Sequence, residues 1–180
     1  MKIIPAIILS ASAVALAAVP AEAQLHRGEK SFGPRAGYVS KNQSACAGLF
    51  FQYSFSRHFR LSPELGIVFR HKDRDALTFD LNAHVPFGFE NGKVALYPLA
   101  GLAFSSWGVH DMEPVDEENK DRSTPGENDV TTHVTRLGAN VGGGVELRCT
   151  SALKLSLEAK YVLVKDYSGA VITMGISYVF

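Results

Sequence analysis

Beyond residue 30 the chain alternates apolar and polar side chains over long stretches, the period of two that a strand with unlike faces imposes. Leu77, Phe79, Leu81, Ala83, Val85, Phe87 and Phe89 share one parity, opposed by Thr78, Asp80, Asn82, His84, Pro86 and Gly88. Leu137, Ala139, Val141, Gly143, Val145 and Leu147 stand against Arg136, Asn140 and Glu146. Leu153, Leu155, Leu157, Ala159 and Tyr161 oppose Lys154, Ser156, Glu158 and Lys160, and Ile172, Met174, Ile176, Tyr178 and Phe180 oppose Thr173, Gly175 and Ser177. A helix would carry such a set out of phase within two turns. The pattern predicts eight strands: Lys30 to Ser40, Ser44 to Ser56, Phe59 to Lys72, Asp75 to Phe89, Lys93 to Gly108, Val130 to Arg148, Ala152 to Asp166, and Gly169 to Phe180.

Turn lengths alternate as well. Tight turns at Ser56-Arg57-His58, Glu90-Asn91-Gly92 and Cys149-Thr150-Ser151 follow the even strands, whereas longer or more polar links follow the odd ones, the longest from Val109 to Asp129. An even strand count with this rhythm predicts an all-β fold, an eight-stranded antiparallel up-and-down transmembrane β-barrel with both termini at the short-turn end. Four prolines oppose the assignment, because Pro34, Pro63, Pro86 and Pro98 fall inside proposed strands and each removes a ladder donor. The first three lie toward a rim, where a bulge absorbs the loss, but Pro98 lies deeper.

The N-terminus changes the picture from fold to address. Met1-Lys2, an apolar run from Ile3 to Val19 and the Ala21-x-Ala23 site predict a signal peptide over residues 1–23 and a mature barrel domain over 24–180. The run is short of the roughly 20 residues a spanning helix needs. Lys+Arg 18 against Asp+Glu 18 shows no basic excess of the kind a nucleic-acid binder carries. A 46% hydrophobic content with mean hydropathy +0.04 fits apolar residues interleaved with polar ones. Cys46 and Cys149 would enter an oxidising compartment, but this topology sets them near opposite ends and predicts that they are unpaired.

Either face of such a barrel could be the inner one. A soluble barrel would bury the apolar parity; a membrane barrel would turn it to lipid and fill its lumen with the polar set. Strands long enough for the roughly 9–11 residues of a tilted crossing, the export signal and aromatic strand ends favour lipid. Phe32, Phe55, Phe87, Phe89, Tyr178 and Phe180 would form one girdle, and Tyr38, Phe69 and Phe104 the other.

The hairpin Glu90-Asn91-Gly92-Lys93, the run Leu96-Tyr97-Pro98-Leu99-Ala100-Gly101-Leu102, the signal and the ending Gly175-Ile176-Ser177-Tyr178-Val179-Phe180 resemble the outer-membrane β-barrel family of Bacteroidetes, similar in build to opacity-type and small enterobacterial barrels. The resemblance covers the mature chain and implies architecture rather than activity. It implies that Ile176, Tyr178 and Phe180 act as the assembly signal read by the barrel-assembly machinery, with periplasmic chaperones as further transient partners and outer-membrane lipid as the surroundings.

The polar parity gathers Arg35, Gln52, Glu64, Arg70, Asp80, Asn82, His84, Arg136, Asn140, Glu146, Glu158 and Lys160. These could form a proton path or narrow pore; the plainer expectation is an ion-pair filling, with Arg35, Arg136 and Lys160 pairing with some of Glu64, Asp80, Glu146 and Glu158. The acidic link 109–129 lacks the ligand spacing of a calcium loop and is the best-placed segment for contact with an extracellular partner. Single, scattered histidines and the absence of a nucleophile elbow point to no metal, cofactor or catalytic group. Gly142-Gly143-Gly144 suits close packing or a bulge. The expected function is a non-enzymatic, surface-exposed envelope protein with a structural, adhesion or interaction role. The alternatives are an outer-membrane lipid-modifying enzyme and a soluble exported barrel holding a small apolar ligand.

Overall fold

The computed structural model describes residues 26–71, 74–89, 93–112, 129–165 and 168–180. The expected signal peptide, the turn from Glu90 to Gly92 and residues 113–128 of the acidic link lie outside the described residues. The strands are β1 (Lys30–Val39), β2 (Ser44–Ser56), β3 (Phe59–His71), β4 (Arg74–His84), β5 (Phe87–Phe89), β6 (Val94–Met112), β7 (Asp129–Arg148), β8 (Leu153–Val164) and β9 (Gly169–Val179). Each is antiparallel to its neighbours, and the sheet closes because β1 pairs with both β2 and β9 while β4 pairs with both β3 and β6. His84↔Leu99 and Phe87↔Leu96 keep one register, so β4 and β5 are a single stave interrupted at Val85-Pro86. The result is the closed eight-stranded antiparallel barrel that the alternation predicts.

The prolines sit where the ladder lapses. The β1–β9 rungs jump from Phe32↔Tyr178 to Arg35↔Gly175, skipping Pro34, and the β2–β3 rungs jump from Phe50↔Glu64 to Tyr53↔Leu61, skipping Pro63. Pro98 faces the interruption in its neighbour: Val85 N–H donates to the Pro98 carbonyl at 3.1 Å, and the return bond, which Pro98 cannot donate, is the one given up. Sequence left Pro98 without an account because its partner at the break is not adjacent in the chain.

One expectation about the links needs correction. Both ends of the expected 109–129 loop are strand, with Val109↔Thr132 and Met112↔Asp129 in register. β6 and β7 run 19 and 20 residues, whereas β7 shares its last rung with β8 at Gly138↔Val164. The β6–β7 ribbon therefore projects beyond the barrel at the end opposite the termini.

The barrel is inverted relative to a soluble protein. Leu65, Leu77, Phe79, Leu102, Phe104, Leu137, Leu157, Ile172 and Met174 point outward and are exposed, and so are Phe32, Phe55, Tyr178 and Phe180 near the terminal end and Tyr38 and Phe69 near the other. Phe87 and Phe89 are half-buried. Arg60, Gln52, Asn82, His84, Lys154 and Glu158 have 1% exposure or less. An outward Leu or Phe gains about 1.5–3 kcal/mol on leaving water, so a continuous jacket of them requires lipid.

Candidate functional site in the barrel lumen

Even-numbered positions of β2, β3, β4 and β8 point inward, and successive strands stack their charges in layers. In the middle layer Arg35 Nη1 lies 2.7 Å from Glu64 and 3.1 Å from Glu158, while Lys160 Nζ lies 2.7 Å from both Glu64 and Asp80 and 3.7 Å from Glu158. The Arg35 guanidinium also sits 4.4 Å over the buried Phe50 ring. Nearer the termini, Arg60 Nη1 reaches Glu146 at 2.8 Å, Lys154 bridges Glu146 and Glu29 at 3.2 Å each, and Arg148 pairs with Glu29.

The arrangement brings Arg35, Glu64, Asp80, Glu158 and Lys160 together, places Glu146 in the layer nearer the termini with Arg60 and Lys154, and sets Arg136 apart. That residue stands opposite Ser105, past the last β7–β8 rung, half-buried, with Nη1 3.4 Å from the Thr135 carbonyl. The ion pairs of Glu64, Asp80, Glu146 and Glu158 among the described residues do not include it. Arg70 is likewise corrected: a register shift between Val68 and His71 breaks the parity, and its side chain is exposed. Sequence reasoning missed Arg60, Lys154 and Glu29 as members. The first two were legible, since Arg60 and Lys154 share the parity of Glu64 and Glu158; Glu29 precedes β1 and gave no signal.

Between the layers Tyr97 packs on His84 with centroids 4.6 Å apart, and its hydroxyl donates to Glu158 at 3.3 Å. A Cβ at Gly144 would come within 2.5 Å of that hydroxyl, so the glycine run provides close packing rather than a bulge. Asn140 donates to Asn82 Oδ1 at 3.1 Å. Among the described ion pairs the lumen sets five cations, Arg35, Arg60, Arg148, Lys154 and Lys160, against five carboxylates, Glu29, Glu64, Asp80, Glu146 and Glu158. Buried charges are tolerable when paired in this way, and removal of one partner costs about 3–5 kcal/mol.

Ligand atoms of Glu64, His84 and Glu158 lie within 4.8 Å of one another, a spacing a metal could use. The hydrogen bonding does not suit one. Arg60 donates to His84 Nδ1 at 3.2 Å, which puts the imidazole proton on Nε2 and leaves that nitrogen a donor, while Glu64 Oε2 already serves Arg35 and Lys160. His84 is fully buried, so it forms no Ser/His pair at the lipid boundary. The free thiols of Cys46, near the loop end of β2, and Cys149, in the turn before β8, stand at opposite ends of the barrel.

A profile of the Outer membrane protein beta-barrel domain family matches residues 6–180. Comparison with curated proteins finds no match. Among solved structures, the N-terminal β-barrel domain of Pseudomonas aeruginosa OprF is similar with a TM-score of 0.64 and 13% identity, over 86% of this chain and 98% of that one. Neisserial surface protein A gives 0.63 and 17%, over 85% and 97%. Ail, the attachment invasion locus protein of Yersinia pestis, gives 0.57 and 16%, over 86% and 100%. The structural likenesses concern the fold, and the family match takes in every strand of it: the chain belongs to the outer membrane protein beta-barrel domain family, whose place is the bacterial outer membrane.

Proposed function

We propose that the protein is a non-enzymatic barrel with a sealed lumen, its termini toward the periplasm and its β6–β7 ribbon toward the outside, serving the envelope through structural support, adhesion or another surface contact made by residues 109–129. The observation that carries this reading is the cross-strand charge network, whose paired side chains occupy an interior that eight strands leave just wide enough for side chains to fill. A lipid-modifying role would need a nucleophile and base at the hydrocarbon boundary, whereas the buried His84 is committed to Arg60 and Tyr97. The likeness to Ail, named for attachment and invasion, is in keeping with a surface contact.

Assembly belongs to the same reading. Ile176, Tyr178 and Phe180 present their side chains outward at 42%, 60% and 63% exposure, where the barrel-assembly machinery could grip them before lipid does, after delivery by periplasmic chaperones. The test combines planar-bilayer recording and acyl-transfer assays on refolded protein with cell binding by a variant lacking residues 113–128. The expected results are no sustained conductance, no turnover, and loss of cell binding with the barrel intact. Steady conductance or robust acyl transfer would overturn the reading.

A further inference from the structure

The charge layers stop short of the loop end. Beyond them Val39, Val68, Trp107 and Val164 line a cavity of about 90 Å³ whose floor is Asp80 and Lys160. These four apolar residues are buried, and Trp107 is fixed by its Nε1 donating to Ser105 Oγ at 3.1 Å. Apolar walls over a charged floor do not resemble the close-packed filling of the rest of the lumen.

The floor also has a sign. The middle layer holds Arg35 and Lys160 against Glu64, Asp80 and Glu158, one carboxylate in excess, and the terminal layer offsets it with Arg60, Arg148 and Lys154 against Glu29 and Glu146. Among the described ion pairs the charges balance as a whole but are polarised along the axis, with the layer that carries the extra carboxylate facing the cavity. Asp80 takes its one side-chain hydrogen bond among the described residues at Oδ2, from Lys160, which leaves Oδ1 for a further donor.

We propose that this cavity binds a small organic monocation, an ammonium group carried on a short hydrocarbon body. The ammonium donates to Asp80 Oδ1 and meets the excess negative charge; the hydrocarbon lies against Trp107 and the valines. The volume falls below the roughly 150 Å³ of an engineered apolar cavity that holds benzene, so a chain of about four carbons fits and a lipid does not. The pairing supplies what buried ammonium and carboxylate both need, a charged partner in a dry site.

Trp107 is the single tryptophan of the chain, and its emission reports directly on the cavity. In protein refolded in micelles, n-butylammonium is expected to give a saturable change in that emission and to slow alkylation of Cys46, which also lines the cavity, in a Cys149→Ser background. n-Butanol is expected to bind about tenfold more weakly and butyrate not at all, since a hydrogen bond between charged groups is worth about 1.5–3 kcal/mol. Asp80→Asn should weaken butylammonium by about tenfold and leave butanol unchanged. Ala103→Leu, which fills the space, should abolish both while heat-modifiable gel mobility persists. Equal binding of butanol and butylammonium to the unsubstituted protein, or an Asp80→Asn variant that folds and binds the amine as before, would overturn the cation site. Absence of any saturable change with the unsubstituted protein would overturn the cavity as a site.

Discussion

Lys160 touches carboxylates from three strands, Glu64 on β3, Asp80 on β4 and Glu158 on its own β8. Its removal takes from Asp80 its ion-pair partner among the described residues and leaves Glu64 and Glu158 to share Arg35, so Lys160→Ala is expected to lose about 3–5 kcal/mol in denaturant titration of the refolded barrel. A loss below about 1 kcal/mol would mean that water, rather than Lys160, neutralises the layer. On the other face, Leu102 is 58% exposed and flanked by Leu81 and Ala139. Leu102→Arg should cost about 2–4 kcal/mol in a bilayer, where a surface substitution in a soluble protein would be nearly neutral. Side-chain direction was legible wherever one parity carried charge, as with Glu64, Asp80 and Glu158. It was not legible along β6, where inward Tyr97, Leu99 and Trp107 are as apolar as outward Leu96, Leu102 and Phe104. The cavity was hidden for that reason, because its walls come largely from residues that a charge rule cannot orient.

Strands declared themselves in the sequence because period two persists over most crossings, and predicted bounds such as Ser44 to Ser56 coincide with β2. Links did not. Polarity marked 109–129 as a loop, yet the cross-strand register carries β6 to Met112 and β7 back to Asp129, since Val109 to Met112 find ladder partners in Asp129 to Thr132 whatever the charge nearby. Prolines were ambiguous for a related reason: Pro98 is tolerated through its pairing with Val85, and pairing is set by the neighbour strand. Protease added to intact cells should cut between residues 113 and 128 and spare the hairpin at 90–92. Cleavage at 90–92 with 113–128 protected would reverse the orientation.

At the scale of the molecule, the apolar jacket and the charged lumen are one statement, because closure of the sheet leaves each strand only those two surroundings. Hydrocarbon outside satisfies one parity, and mutual neutralisation inside satisfies the other. The most direct measurement puts a nitroxide on Leu102→Cys, with Cys46 and Cys149 changed to serine, in phospholipid vesicles, and compares its collisions with oxygen, which concentrates in hydrocarbon, and with a water-soluble nickel chelate. Oxygen is expected to dominate at position 102; access by the nickel chelate exceeding that of oxygen would put the apolar parity in water instead of hydrocarbon.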